Sequence, residues 1–217
     1  MRFFRVMAVA ALLAAIGSHS SAAQEGRTFK DAWFWGVKTG ALSYSSASTQ
    51  TGGAPLVGAE WLITRTSGGL YVSFDQAFLN TTGAFVDQDT VRAVGLQNMR
   101  RFTLAAMAFP GQTIRLHPYV GFGMTVNAIG STTLLTATSA ARFNIAQDSI
   151  TSRKTVFAPI VLAGFQYRLR PFSVFVQGGA FPAQQRFFLS NSTSRPFDVS
   201  IEAGVRYNVG TSIEGIR

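Results

Sequence analysis

Seven charged residues stand among apolar and small neighbours: Lys38, Glu60, Asp75, Arg101, Arg115, Glu202 and Arg206. Lys38 sits in Gly36-Val37-Lys38-Thr39-Gly40, and Glu202 in Ile201-Glu202-Ala203-Gly204. Charges withdrawn from water cost several kcal/mol each, on the order of a folded domain's whole stability, unless they are paired. The chemistry expected of these residues is therefore mutual neutralisation. Catalysis needs a base, a nucleophile and an orienting group that converge. His117, in Leu116-His117-Pro118-Tyr119, is the only histidine outside the N-terminal stretch, and a lone histidine reads as a structural residue. There are no cysteines and no clustered ligands, so the sequence implies neither a metal nor a cofactor.

The elements that hold these charges alternate with period two. In 197–209, Val199, Ile201, Ala203, Val205 and Tyr207 oppose Ser200, Glu202, Gly204, Arg206 and Asn208. In 32–44, Trp35, Val37, Thr39 and Ala41 oppose Gly36, Lys38 and Gly40. Such alternation marks strands, and none of the chain sustains a 3.6-residue period, so little helix is expected. Strands are expected over 32–44, 55–65, 69–79, 98–109, 113–126, 156–168, 171–182 and 197–209. Their connections alternate between long and tight. Ser45–Ala54, Asn80–Gln97, Asn127–Thr155 and Ala183–Pro196 are long, while those near Ser67, Gly111 and Leu169 are short. Outer-membrane barrels sort their loops this way, with short periplasmic turns and long extracellular loops.

The expected fold is all-β, an eight-stranded antiparallel up-and-down transmembrane β-barrel with its apolar face outward and its charges in the lumen. The interior of eight strands is just wide enough for side chains to fill. Glycines there leave room for Lys, Arg and Glu. Lys38, Glu60, Asp75 and Glu202 fall at similar depth, and strand one neighbours strands two and eight. An ion-pair network that plugs the lumen follows. A soluble barrel with an apolar calyx would invert this polarity. Trp33, Trp61, Phe109, Tyr167, Phe172 and Tyr207 lie near the expected periplasmic ends, as an aromatic girdle at a membrane interface would.

The N-terminus reads as an address. Arg2 and Arg5 precede the apolar stretch Val6–Ile16, and Ser21-Ala22-Ala23 supplies small residues for cleavage. The expected organisation is a signal peptide over 1–23, a periplasmic segment over 24–31, the barrel over 32–209 and a periplasmic tail over 210–217. Composition agrees with this reading. Hydrophobic residues make up 47% and charged residues 13%, with 19 phenylalanines, yet the mature chain has no run long enough for a membrane helix. The net charge of +9 is scattered, which argues against a nucleic-acid footprint. Arg65, Arg115, Arg168 and Arg170 lie near the periplasmic turns, where anionic lipid headgroups could attract them.

Phe34-Trp35-Gly36-Val37-Lys38-Thr39-Gly40 resembles the first strand of OmpA-like and opacity-type small outer-membrane barrels. Ile201-Glu202-Ala203-Gly204-Val205-Arg206-Tyr207-Asn208-Val209 resembles their closing strand, the segment read by the barrel-assembly machinery. The family's closing strand usually ends the protein on an aromatic residue, whereas Gly210 to Arg217 follow here. That tail leaves no room for the peptidoglycan-binding domain of two-domain members. Some small barrels modify lipid A with a hydroxyl nucleophile and a histidine, but the His-x-Ser-Asn of the deacylase type is missing. The resemblance thus implies a non-enzymatic barrel that contacts outer-membrane lipid and the assembly machinery. An extracellular ligand could meet its loops, where Arg142, Asp148, Arg153 and Lys154 stand in one and Phe187, Phe188 and Arg195 in another. Two function classes remain at this point. One is a structural or surface-interaction barrel with a plugged lumen, and the other a narrow pore or carrier for ions or small apolar molecules.

Overall fold

The structure, a computed structural model, describes residues 29–49, 51–87, 90–110, 115–136, 140–184, 186–189 and 196–211. The expected signal peptide and most of the expected tail lie outside these residues, as does Arg195.

Eight antiparallel strands close on themselves: β1 (Ala32–Tyr44), β2 (Gly52–Thr64), β3 (Gly68–Asp87), β4 (Thr90–Ala108), β5 (Leu116–Leu134), β6 (Thr155–Arg168), β7 (Phe172–Pro182) and β8 (Phe197–Thr211). Each pairs with the next, and β8 returns to β1 with Val37 opposite Val205 and Gly40 opposite Glu202. Closure leaves neither outer strand with a free edge, so backbone groups along the wall are satisfied within the sheet.

Burial follows the pleat. In β7, Phe172, Val174 and Val176 are exposed while Ser173, Phe175 and Gln177 are buried. Val37 is 66% exposed and Ile201 67%, whereas Lys38 is 5% exposed and Glu202 1%. Charges lie inside and large apolar side chains outside, the reverse of a water-soluble barrel and the pattern of strands that face hydrocarbon.

One of the expected long loops is largely sheet, and another begins as sheet. Pairing between β3 and β4 continues past a register shift between Ala77 and Asn80 to Asp87 opposite Thr90. The segment Asn80–Gln97 is therefore a hairpin, and β5 likewise continues through Asn127 to Leu134. The physical reason is that Phe85, Val94 and Leu96 are buried on the inner face, so extending the ladder buries apolar surface as well as pairing backbone. A membrane-crossing strand needs about 9–11 residues. With 20, 19 and 19 residues, β3, β4 and β5 rise well beyond the barrel's shorter strands.

Between β5 and β6 lies the helix α1 (Ala140–Arg153), in a stretch expected to be loop. Among its described side chains only Ala146 and Ile150 are buried, one turn apart on one face, while Phe143 and Ile145 are half exposed. So narrow a buried stripe leaves little period in the sequence.

Candidate functional site in the barrel lumen

The lumen is filled in three layers between the end where β1 begins and β8 ends (the lower end) and the end reached by the tops of β3, β4 and β5 (the upper end). At the lower end Phe29, from the segment preceding β1, folds back into the mouth. Its ring stacks on His117 at 4.0 Å and 7° and meets Phe109 edge-on at 4.9 Å. The Thr64 hydroxyl donates to the Phe29 carbonyl, and Ala32 N–H donates to the same hydroxyl at 3.2 Å. His117 is buried, and neither ring nitrogen has a hydrogen-bond partner among the described residues. Its packing partner is an aromatic face.

The middle layer contains Lys38, Arg101 and Arg206 against Glu60, Asp75 and Glu202. Lys38 Nζ lies 2.6 Å from Glu202 Oε2 and 3.0 Å from Asp75 Oδ1. Arg101 bridges the same two carboxylates, with Nε donating to Asp75 Oδ2 at 2.9 Å and Nη2 donating to Glu202. Arg206 Nε donates to Glu60, and its Nη1 donates to Gln166 Oε1 at 2.6 Å. Tyr71 joins the two halves. Its hydroxyl accepts from Lys38 Nζ at 2.9 Å and from Gln177 Nε2 at 3.0 Å, and it donates to Glu60 Oε2 at 3.0 Å. Gln177 also donates to Glu202 at 2.8 Å and accepts from Tyr119 at 3.0 Å. The Arg206 guanidinium lies over the Phe175 ring, 3.9 Å from its centroid.

Glycine makes the space. A Cβ on Gly36 would sit 2.9 Å from the Glu60 side chain, and one on Gly58 would overlap Asp75 Oδ1. In a lumen this narrow, each long charged side chain needs a neighbour with none.

Above the charges the interior is mainly apolar, although Arg92 and Asp198 are also buried at this end. Leu42, Leu56, Leu96, Met99, Ile129 and Ile160 are buried there. Ala146 and Ile150 of α1 join the same cluster, as do Phe187, Phe188 and Leu189. The Phe188 ring lies 6.3 Å from that of Phe85. Helix and loop together roof the barrel.

The structure thus brings Lys38, Glu60, Asp75, Arg101, Glu202 and Arg206 together, but not Arg115. That residue precedes the first residue of β5, at the rim, and its exposed guanidinium reaches Tyr167 OH at 3.4 Å. Its parity matches the inward set, but its position lies past the end of the lumen. Phe109 departs from the girdle for a related reason. Ala106 and Ala108 occupy the outward positions of β4, so Phe109 points inward and is buried against Phe29 and Tyr119. Trp33, Trp61, Tyr167, Phe172 and Tyr207 remain partly or well exposed near the lower end. Trp61 meets Trp33 edge-on at 5.3 Å and stacks on Trp35 at 5.7 Å, while Phe172 packs on Tyr207 at 5.3 Å. Phe187 and Phe188, expected as loop residues open to a ligand, are buried in the roof, because their rings complete the apolar layer. Arg153 lies with its guanidinium 5.9 Å from the Phe85 ring.

Sequence reasoning missed Tyr71, Tyr119, Gln166 and Gln177 as members of the network. Their signal was parity alone, since each shares the inward face of its strand with a charged or small residue.

A closed eight-stranded wall, an apolar outside and a charged, filled inside define the architecture of a small outer-membrane-type β-barrel. A solved structure agrees on that fold. Neisserial surface protein A matches with a TM-score of 0.54 at 11% identity, covering 81% of this chain and 96% of its own. Ail, the attachment invasion locus protein of Yersinia pestis, matches at 0.49 and 10%, covering 83% and 99%. The N-terminal β-barrel domain of Pseudomonas aeruginosa OprF matches at 0.45 and 13%, covering 82% and 98%. No protein-family profile and no curated protein matches the sequence.

Proposed function

We propose that this protein is a bacterial outer-membrane β-barrel with a sealed lumen, non-enzymatic, that acts through the surface it presents outside the cell. The observation that carries this reading is the layered filling of the interior by the described side chains. Among the described residues an aromatic plug, a paired charge network and a mainly apolar roof follow one another, whereas a conducting pore needs a wet polar path. Outside, the apolar face is bounded by aromatics at the lower end and by exposed Asn80, Gln97 and Arg100 on the upper part of β3 and β4. That spacing suits a bilayer, with the lower end in the periplasm after removal of residues 1–23. The assembly machinery would read β8. The β3–β4 hairpin, the upper part of β5 and helix α1 then project beyond the membrane as a rigid platform, suited to holding a partner on the cell surface.

The test combines three measurements on the full-length gene product. Membrane flotation and a heat-dependent gel shift are expected, because an intact barrel resists detergent. Protease should reach an epitope inserted between Asp87 and Thr90 on intact cells. Planar bilayers should show no single-channel steps. Steps of regular size would instead favour the narrow pore, and recovery in the soluble periplasmic fraction would overturn the membrane reading altogether.

A further inference from the structure

The lower rim carries a cavity of about 390 Å³ lined by Arg115, Arg168, Leu169 and Arg170. Three arginines share the lining of one small space, and no carboxylate is among the described residues that line it. At the same end Arg65 has Asp31 within 3.6 Å. The backbone holds the arginines in place. Leu116 is opposite Tyr167 in the β5–β6 ladder, so Arg115 and Arg168 face each other one step beyond it. Arg168 N–H donates to the Arg115 carbonyl at 2.8 Å. Leu169 N–H donates to the Phe172 carbonyl at 2.8 Å, which closes the turn carrying Arg170. Like charges directly opposite across an antiparallel pair are unfavourable, and a third nearby adds to the cost. An anion with several acceptor oxygens would reverse the sign of that interaction. Arg115 gives one contact to Tyr167 OH and keeps further N–H donors, for a guanidinium has five in all.

We propose that this cavity binds a phosphodiester anion, namely the headgroup of an anionic phospholipid in the periplasmic leaflet. Arginine matches phosphate in geometry as well as charge, through paired parallel hydrogen bonds. The volume suits a headgroup-sized ligand. The surroundings favour lipid over free phosphate. Leu169 and Phe172 are exposed at the site, with Leu116 beside them, and would lie along acyl chains while the phosphate met the arginines. The proposal rests on the membrane reading above, with the lower end facing the periplasm.

The test uses the full-length protein, membrane-extracted and placed in nanodiscs of phosphatidylcholine with a minor fraction of phosphatidylglycerol. Native mass spectrometry counts the lipid retained on release. One phosphatidylglycerol should stay bound, at least tenfold preferred over phosphatidylcholine. Replacing Arg115, Arg168 and Arg170 together with Gln should lower that preference by tenfold or more, because each arginine near a membrane surface contributes severalfold. The pair Lys30→Gln and Arg65→Gln removes charge at the same end and should change it less than twofold. Equal loss in both variants would mean diffuse attraction and overturn the site. Displacement of the lipid by millimolar inorganic phosphate would assign the cavity to free phosphate and overturn the lipid. Flotation and gel shift are scored on the same samples. A floating, heat-modifiable barrel that retains no lipid defeats this proposal alone, whereas a protein that fails to float defeats the membrane reading and this proposal with it.

Discussion

Replacing Lys38 with Met should lower the barrel's stability by about 3 kcal/mol, near the bottom of the 3–5 kcal/mol range for breaking a buried ion pair. The structure sets the reason for the lower figure. Lys38 leaves behind Asp75 and Glu202, and neither is abandoned. Glu202 keeps Arg101, the Gln177 amide at 2.8 Å and the Ser200 hydroxyl at 2.8 Å. Asp75 keeps Arg101 at 2.9 Å and little else, with Ser73 at 3.4 Å. The network goes from three cations against three anions to an excess of one negative charge, and most of the cost falls on Asp75. For a chain of this size, about 3 kcal/mol corresponds to roughly 6–12 °C in the unfolding midpoint. The assay is the temperature at which half the protein converts from the fast to the slow gel form, in one detergent. The double variant Lys38→Met with Asp75→Asn restores neutrality and should recover at least half the loss. A shift below about 2 °C would refute the idea that paired charges hold this lumen together, as would a double variant no better than the single one.

Three further outcomes follow from the other layers. Gly58→Ala should cost about 1–3 kcal/mol, because the new methyl displaces the Asp75 carboxylate, while Gly53→Ala, with open space around it, should cost almost nothing. The gel-shift midpoint compares the two. Phe29→Ala should lower stability by about 3 kcal/mol, the lower end for removing a buried aromatic, since the ring sits at the mouth. Bilayer recordings on that variant should stay silent, because the charge layer above is untouched. Ile150→Asp should release α1 from the roof, so that trypsin cuts at Arg153 or Lys154 at least tenfold faster while the gel-shift midpoint moves little.

Much of the barrel was legible in the sequence because a strand with hydrocarbon on one side and a narrow lumen on the other must alternate strictly. Lys38 between two glycines, and Glu202 and Arg206 flanking Gly204, stated both the face and the crowding before any coordinates. Strand ends were harder to read than strand centres. Arg115 and Phe109 show this, since each lies at the end of its strand, where a one-residue error decides whether a side chain meets lumen, lipid or water. The upper half was misread for a different reason. Asn80, Thr81, Thr82 and Gly83 look like loop residues, but their backbone is held by cross-strand pairing and by Ser48, whose amide donates to the Thr82 carbonyl at 3.3 Å. Local propensity cannot report a partner strand. The helix α1 was hidden because tertiary contact at Ala146 and Ile150, rather than a wide apolar stripe, defines its buried face.

The order of the layers is itself an argument about assembly and role. At membrane depth a side chain on the outer face meets hydrocarbon, so the lumen is the one place where charges can be both buried and paired. Above the membrane the outer face meets water, and the inner face must then become the apolar one. That change of polarity occurs along single strands. The inner face of β3 shows it, running from Tyr71 and Asp75 to Leu79 and Phe85, whereas that of β8 stays polar from Arg206 through Glu202 and Ser200 to Asp198. The upper part of β3, β4 and β5 therefore resembles a small soluble domain, with α1 and the Phe187–Leu189 segment packed over its inner face. A barrel needed only as a wall would have no use for that core, since shorter loops would end the sheet at the headgroups. Strands extended past the bilayer and packed to hold their shape are what the proposed surface role requires. On the proposed reading of a sealed lumen, opening a passage would mean unpacking that core.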